Sequence, residues 1–256
     1  MKWRFLSFLL IMLFFLLGTC VWLRGEIDKF TGEIESYNFV KIVKFKESVE
    51  ELPKPTNQTA GQVFLLDVSF TPQAPFGQWA DSVYQNACEE ATILMAINWV
   101  RGERISKEEA SEEIKKITEF EDKNYGQGIY DRSAKDTAQL IRDYWGYENV
   151  EIRNNIGVKE IVLELEKGNL VIVPINGQVL KNPYYTLPGP AEHMILIIGY
   201  DFQTKEFITN DAGTRQGEKY RYDENRFYDS IRDYPTGYKE PILEIKKPMI
   251  VIKPNK

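Results

Sequence analysis

Histidine is almost missing from this sequence, since His193 is the only one among 256 residues. Cysteine is nearly as scarce, with Cys20 and Cys88 alone. Two cysteines, one of them inside a long apolar run, exclude a disulfide framework. One cysteine and one histidine are also too few ligands for a zinc site of the usual kind. The sequence therefore predicts no metal, and no motif in it implies an organic cofactor.

Basic residues are also fewer than acidic ones, with 32 Lys and Arg against 38 Asp and Glu. The formal net charge is -6, whereas a nucleic-acid-binding surface gathers Lys and Arg on one face. Nucleic acid is therefore excluded as a partner. Apolar residues make up 43% of the chain, which is enough to bury a core. We expect a folded domain.

One long hydrophobic run is present, from Phe5 to Leu23, and it could cross a bilayer as a helix. Lys2 and Arg4 precede it, so the positive-inside rule keeps the N-terminus in the cytoplasm and places the following residues outside. We expect residues 1–24 to be a signal anchor, a single transmembrane helix in the cell membrane. The alternative is a cleaved signal peptide and a secreted protein, but no A-x-A-like site follows the run.

The rest of the chain divides into two regions. Residues 25–62 are charged and irregular, and they read as an extracytoplasmic stalk. Residues 63–256 should form the compact domain. Its first half carries helical periodicity, including a capping box at Ser106 and Glu109. Its second half consists mainly of strand-like apolar runs. This order predicts an α+β fold in which a helical half packs on an antiparallel sheet.

Cys88 stands where a predicted helix begins, and it would be the lone thiol outside the membrane. Unsatisfied amides at a helix start favour a negative charge and so lower the pKa of a thiol. Glu89 and Glu90 oppose thiolate formation unless their side chains point away from it. The alternative is a small buried hydrophobic residue without chemistry.

His193 opens an apolar strand, "HMILIIGYD", and Asp211 follows the next strand, "KEFITN". If the two strands pair as a hairpin, Asp211 returns beside His193 and can hold one ring nitrogen. Cysteine, histidine and aspartate would then form a catalytic triad. The alternative for His193 is a histidine buried in the core without a catalytic role. The alternative for the Asn-Asp-Ala-Gly segment that contains Asp211 is an ordinary turn.

An oxyanion site would need two hydrogen-bond donors, and the N–H of Cys88 supplies one. Gln73, Gln78 and Gln85 are candidates for the second, and the residue pattern alone does not separate them. Aromatic loops flank the pair, with Phe76 and Trp79 before Cys88 and with Tyr184 and Tyr185 before His193. These loops could wall a substrate cleft, or they could be aromatic lids on the core. The tyrosine-rich run "GEKYRYDENRFYDSIRDYP" after Asp211 is expected to be a solvated strand and helix edge.

Four segments, "LDVSFTPQAP", "CEEATILM", "EHMILIIGYD" and "ITNDAGTRQG", resemble a known family. It is the bacteriocin-processing, double-glycine-peptidase-like branch of the papain-like cysteine peptidases, and the resemblance runs from about Leu65 to Tyr222. It implies a papain-like fold and a bacterial protein. The roles that it implies are oxyanion donor for Gln73, nucleophile for Cys88, base for His193 and orienting partner for Asp211.

The sequence departs from that family at two points. Many members have Cys-Gly-Pro where this chain has Cys88-Glu89-Glu90, and Asn-Asp-Pro-Gly where it has Asn210-Asp211-Ala212-Gly213. The first change adds charge at the cleft. The sequence shows no transporter or ATP-binding segment beside the peptidase-like region, so double-glycine leader cleavage does not follow from the resemblance.

These features predict a membrane-anchored, extracytoplasmic cysteine peptidase that hydrolyses peptide or amide bonds. Its partners would be a peptide or protein substrate at the cell envelope and the membrane itself. Two alternatives stay open: an envelope acyltransferase or transpeptidase that uses the same thiol, and a non-catalytic peptide-binding module. Glu89 and Glu90 favour the last, because they could keep the thiol protonated.

Overall fold

The described part of the chain comprises residues 62–126, 131–237 and 244–255 of a computed structural model. Contacts divide the chain into two compact units, residues 1–58 and 59–256, and all described residues belong to the second. The predicted transmembrane helix and all but the last residue of the predicted stalk lie outside the described residues. Within the described ranges, every helix is too short or too polar to span a bilayer.

Helices and strands alternate unevenly along the chain. The helices are α1 (Ser82–Gln85), α2 (Cys88–Arg101), α3 (Lys107–Tyr125), α4 (Ala134–Trp145), α5 (Val158–Glu166), α6 (Gly177–Leu180) and α7 (Glu224–Ser230). The strands are β1 (Val63–Leu65), β2 (Val150–Arg153), β3 (Leu170–Ile175), β4 (His193–Asp201), β5 (Glu206–Asn210), β6 (Tyr220–Asp223) and β7 (Met249–Ile252). The predicted α+β class is confirmed.

The seven strands form one antiparallel sheet, which is the predicted sheet type. Six of them lie side by side in the order β2-β7-β3-β4-β5-β6. The short strand β1 pairs with the end of β4, from Gly199 to Asp201, beyond the part of β4 that pairs with β3. Strands β4 and β5 are joined by a tight connection and pair as the predicted hairpin. The sheet therefore brings the start of β4 next to the end of β5.

Strand β4 is buried along its whole length, which explains its unbroken apolar sequence. Met194, Leu196 and Ile198 pack into the core on one face of the sheet. Ile195 and Ile197 pack into the core on the other face. Successive strand residues point to opposite faces, so both faces of β4 must be covered by other elements.

Helices cover both faces of the sheet, whereas the sequence led us to expect one helical half. Helices α2, α3 and α4 pack with the first core, and α5, α6 and α7 pack with the second. The tyrosine-rich run forms the edge strand β6 and helix α7, in line with the expected strand and helix edge. Tyr222 and Phe227 in it are nevertheless buried, because this second helical layer needs apolar contacts.

Helix α2 is the element that the site depends on. Its residues from Cys88 to Asn98 are all buried, and it ends at Gly102 in the left-handed conformation (φ 70°). The Thr92 hydroxyl donates a hydrogen bond of 3.2 Å to the carbonyl of Met194 in β4. This contact ties the helix that begins at Cys88 to the strand that begins at His193.

Removing a buried side chain from β4 should destabilise the domain. We predict that Leu196→Ala lowers the free energy of unfolding by about 2–5 kcal/mol, because it leaves a cavity against the helices of the first core. Leu163→Ala in α5, where the side chain is 48% exposed, is the matched control and should cost less than about 1 kcal/mol. Urea denaturation of both variants measures the difference. Equal losses would contradict the two-faced burial of β4.

Candidate active site

Three elements end or begin at one place in the structure. Cys88 is the first residue of α2, His193 is the first residue of β4, and Asp211 directly follows β5. The N-cap of α2 is Ala87, whose methyl side chain cannot accept a hydrogen bond from the free amides of the first turn. The N–H of Cys88 therefore has no acceptor within the helix and remains available to a ligand.

An open cavity of about 890 Å³ reaches two of these residues, Cys88 and His193, whereas Asp211 is buried and is not part of its lining. Cys88 and His193 line it from α2 and β4. Gln73 and Trp79 line it from the loop before α1, and Tyr184 and Tyr185 from the loop before β4, as expected for the aromatic loops. A cavity of this size accommodates several residues of an extended peptide.

His193 and Asp211 form a hydrogen bond inside the protein. Nε2 of His193 lies 2.8 Å from Oδ1 of Asp211, and both side chains are almost completely buried. An ionised carboxylate can only accept hydrogen bonds, so Nε2 carries the proton in this pair. The other ring nitrogen, Nδ1, is then the one that can take a proton from a neighbouring group.

The Asp211 carboxylate is held by several further donors. Its Oδ2 accepts hydrogen bonds from the hydroxyls of Tyr185 and Tyr222, both at 2.6 Å, and from Nδ2 of Asn182 at 3.1 Å. Its Oδ1 also accepts the N–H of Gly213 at 3.0 Å. Burial alone would raise the pKa of Asp211, but the His193 charge and these donors bring it below its ordinary value. Asp211 therefore stays ionised.

Sequence reasoning missed the roles of Asn182 and Tyr222. Both lie far from Asp211 along the chain, and only the β5–β6 pairing brings Tyr222 to it. Tyr185 was expected only as a cleft wall, yet its ring packs edge-to-face on His193, with centroids 5.6 Å apart. Gly213 is required by close approach, because a Cβ there would lie 2.8 Å from the imidazole.

The Cys88 thiol is in a different state from the one expected. It is buried, and Sγ donates a hydrogen bond of 2.9 Å to Oε2 of Glu89. Burial first, and then the carboxylates of Glu89 and Asp131, raise the pKa of the thiol well above its ordinary value. The helix start does not overcome these two effects. The expected lowering of the thiol pKa is thus wrong for the resting form.

Glu89 and Glu90 do not point into solvent, because their side chains are 0% and 4% exposed. The sequence offered that orientation as the one compatible with a reactive thiol. Cys88 Sγ and carboxylate oxygens of Glu89 and Asp131 lie within 4.8 Å of one another, so the thiol and two acidic groups share one small volume. Glu89 already accepts hydrogen bonds through both oxygens, so the contacts are those of a proton-sharing cluster.

Gln73 lines the cavity, but both protons of its carboxamide are donated to backbone carbonyls. Nε2 lies 3.0 Å from the oxygen of Tyr84 and 2.8 Å from that of Gln85. Gln85 also lines the cavity, whereas Gln78 accepts the N–H of Phe76 with its side chain. The oxyanion role of Gln73 stays a prediction, and it requires one of these bonds to be exchanged for substrate.

Comparison with known proteins places the chain in a family. The model of the peptidase C39-like family matches residues 65–237, about two thirds of the sequence, and this range includes Gln73, Cys88, His193 and Asp211. The chain belongs to the peptidase C39-like family. The resemblance read from the four sequence segments is thereby confirmed at the level of the family.

Among solved structures, this protein is similar to an inferred C39-like peptidase from Bacillus anthracis. The two are 13% identical, with a TM-score of 0.42 over 76% of this chain and 100% of that one. None of the curated proteins compared with the chain matches it.

Removing one donor from the Asp211 carboxylate should destabilise the C39-like domain. We predict that Tyr222→Phe lowers the free energy of unfolding by about 1.5–3 kcal/mol, because a buried charged group loses a hydrogen bond. Tyr220→Phe is the matched control, since it removes a hydroxyl from the same strand without a hydrogen bond to Asp211, and it should change stability by less than about 0.5 kcal/mol. Denaturant titration at pH 7 compares them. Equal effects would show that the hydroxyl of Tyr222 does not hold the carboxylate.

Proposed function

We propose that this protein is a cysteine peptidase that hydrolyses peptide bonds with Cys88 as nucleophile, His193 as base and Asp211 as its orienting partner. The observation that carries the proposal is the buried His193–Asp211 hydrogen bond in the wall of the cavity that Cys88 lines. Membership of a peptidase family supports the same reaction class.

The first half of the reaction forms an acyl-enzyme. The Cys88 thiol gives its proton to Nδ1 of His193, and the thiolate attacks the carbonyl carbon of the scissile peptide bond. Asp211 stabilises the imidazolium through Nε2–H. The N–H of Cys88 and the carboxamide of Gln73 donate to the oxyanion. The C–N bond then breaks, His193 returns its proton to the leaving amine, and a thioester remains on Cys88.

The second half consumes water. His193 takes a proton from a water molecule as it attacks the thioester carbonyl, and the C–S bond breaks to release the carboxylic acid. The thiol is regenerated with the proton that His193 held. Each cycle thus adds one water across one peptide bond and leaves the protein unchanged.

The location of the activity is part of the proposal. The apolar run from Phe5 to Leu23, preceded by Lys2 and Arg4, supports a single membrane helix with the peptidase domain outside the cytoplasm. The substrate would then be a peptide or protein at the cell envelope. If the run is cleaved as a signal peptide, the same domain is secreted.

A binding module is the second candidate, and one observation favours it. The thiol donates to a buried carboxylate, and its pKa is raised by burial and by neighbouring carboxylates. A protein that only binds peptides in the cavity would have no need of a thiolate. Acyl transfer to an amine uses the same groups as hydrolysis and differs only in the acceptor.

Replacing the nucleophile should abolish turnover. We predict that Cys88→Ala lowers hydrolysis of a peptide library by the full-length chain by at least about 10³-fold, because no covalent intermediate can form. Cys20→Ala, which removes the other cysteine, is the matched control and should retain activity. New peptide termini are counted by mass spectrometry, with an amine acceptor added in a second arm.

The outcomes separate the candidates. Undiminished cleavage by Cys88→Ala would contradict the mechanism. Cleavage by neither variant nor wild type, together with retention of peptides on the protein, would favour the binding module. Ligated products in place of free acids in the acceptor arm would favour an acyltransferase.

A further inference from the structure

Glu89 is the residue in closest polar contact with the nucleophile, and its side chain is completely buried. Three donors from separate parts of the chain converge on its carboxylate. Oε2 accepts the thiol of Cys88 at 2.9 Å. Oε1 accepts the backbone N–H of Arg132 at 3.1 Å and the hydroxyl of Tyr234 at 2.7 Å. The carboxylate is thus fixed in position beside the sulfur.

No cationic side chain among the described residues forms an ion pair with Glu89. Arg132 contributes only its backbone N–H, because its guanidinium is bound to Glu121 and stacks over the ring of Tyr125 at 4.4 Å. A carboxylate oxygen of Asp131 lies within 4.8 Å of a carboxylate oxygen of Glu89. The negative charge of Glu89 is therefore held by hydrogen bonds alone.

The groups that face Glu89 decide how it titrates. They are Cys88 and Glu90 of α2, Asp131 and the N–H of Arg132 from the segment before α4, and Tyr234 from the segment after α7. Burial and the Asp131 charge raise the pKa of Glu89 to about 7, and its three hydrogen bonds only partly oppose this rise. Near neutral pH, Glu89 is therefore divided between its acid and its carboxylate.

The mechanism places a second negative charge next to this one. When Cys88 becomes a thiolate, its sulfur lies 2.9 Å from Oε2 of Glu89. Two anions at that distance in a buried site repel strongly, whereas a neutral carboxylic acid at the same place can donate its O–H to the sulfur. Only the protonated side chain is compatible with the geometry of the reactive state.

We propose that Glu89 is a further catalytic residue, which in its protonated form donates a hydrogen bond to the Cys88 thiolate. The proposal rests on the peptidase function proposed above. The thiol proton passes to Nδ1 of His193 while the carboxyl proton of Glu89 stays on Oε2 and turns toward the sulfur. The reactive form then holds a thiolate, an imidazolium and a neutral acid. At pH values above the pKa of Glu89, its carboxylate accepts a hydrogen bond from the thiol and so keeps the sulfur protonated.

The expected pH dependence follows from the sign of the Glu89 titration. The reactive pair is available at pH values below the pKa of the Glu89 carboxyl and is lost as pH rises through about 7. Hydrolysis should therefore decline on the alkaline side of neutrality. A thiol peptidase limited only by formation of its thiolate would instead gain activity there.

Glu89→Gln tests this directly, since glutamine has the shape of the protonated acid. Its carbonyl oxygen can replace Oε1 as the acceptor for Arg132 and Tyr234, and its NH₂ can replace Oε2 and donate to sulfur at every pH. The full-length chain in a Cys20→Ala background has Cys88 as its sole thiol. The rate of Cys88 alkylation by iodoacetamide is measured from pH 5 to 10, and kcat/KM for peptide hydrolysis over the same range.

We expect Glu89→Gln to lower the apparent pKa of Cys88 alkylation by roughly 1–3 units, because a neighbouring negative charge is removed. The pH at which kcat/KM declines on the alkaline side should rise by at least about one pH unit. Glu90→Gln is the matched control: it removes the same ionisable group one residue along, where the side chain faces Glu121. Both profiles should move by less than half as much in that variant.

An alkylation profile in Glu89→Gln that coincides with wild type would overturn the proposal, as would equal shifts in Glu89→Gln and Glu90→Gln. If Glu89→Gln does not fold, Tyr234→Phe provides the test. It removes one donor from the carboxylate, so the alkaline decline must move upward; an unmoved decline would overturn the proposal. A shifted alkylation profile without hydrolysis by any variant would leave Glu89 in control of the thiol and refute the peptidase function alone.

Discussion

The hydrogen bond between Asp211 and His193 is the contact on which the site depends. It is buried, and it exists because β4 and β5 pair in a register that returns the end of one strand to the start of the other. Two tyrosines, an asparagine and a backbone amide stabilise the carboxylate; they come from the loop before β4, from β6 and from the turn after β5. The sheet, its second helical layer and the loop before β4 all contribute to holding one imidazole.

Two buried carboxylates flank this chemistry in opposite electrostatic environments. Asp211 has a histidine charge and several donors, so its pKa lies below the ordinary value despite burial. Glu89 has hydrogen-bond donors but, among the described residues, no cationic partner, so burial and the neighbouring Asp131 carboxylate raise its pKa to about 7. Carboxyl groups whose pKa values are separated in this way can take different roles, one as a fixed charge and one as a neutral hydrogen-bond donor. In our account Asp211 orients the base and Glu89 sets the state of the nucleophile.

Local patterns were enough to predict much of this arrangement. A helix starting at Cys88, a strand starting at His193 and a hairpin leading to Asp211 each follow from a short stretch of sequence. The capping box at Ser106 is present as well, because its two hydrogen bonds involve residues three apart. The α+β class followed from the order of these segments, and the family from the resemblance of four short stretches to known members.

The features that sequence reasoning missed depend on distant contacts. Acidic residues in the first turn of a helix interact favourably with the helix dipole whether they are exposed or buried. The local sequence therefore gave no sign that Glu89 is buried and accepts hydrogen bonds from Tyr234 and the N–H of Arg132. Tyr222 reads as a solvated residue until α7 and β5 cover it. Its position depends on a second helical layer that only the assembled sheet defines.

The most direct test of the account is whether His193 activates Cys88. The rate of Cys88 alkylation at pH 6 should be compared between the wild-type chain and His193→Ala, with intact mass reporting the modified fraction. The account predicts a loss of at least about tenfold in the variant, because no group then takes the thiol proton to form the ion pair. Equal rates in two folded proteins would show that His193 is a core residue without influence on the thiol, and the triad would be refuted.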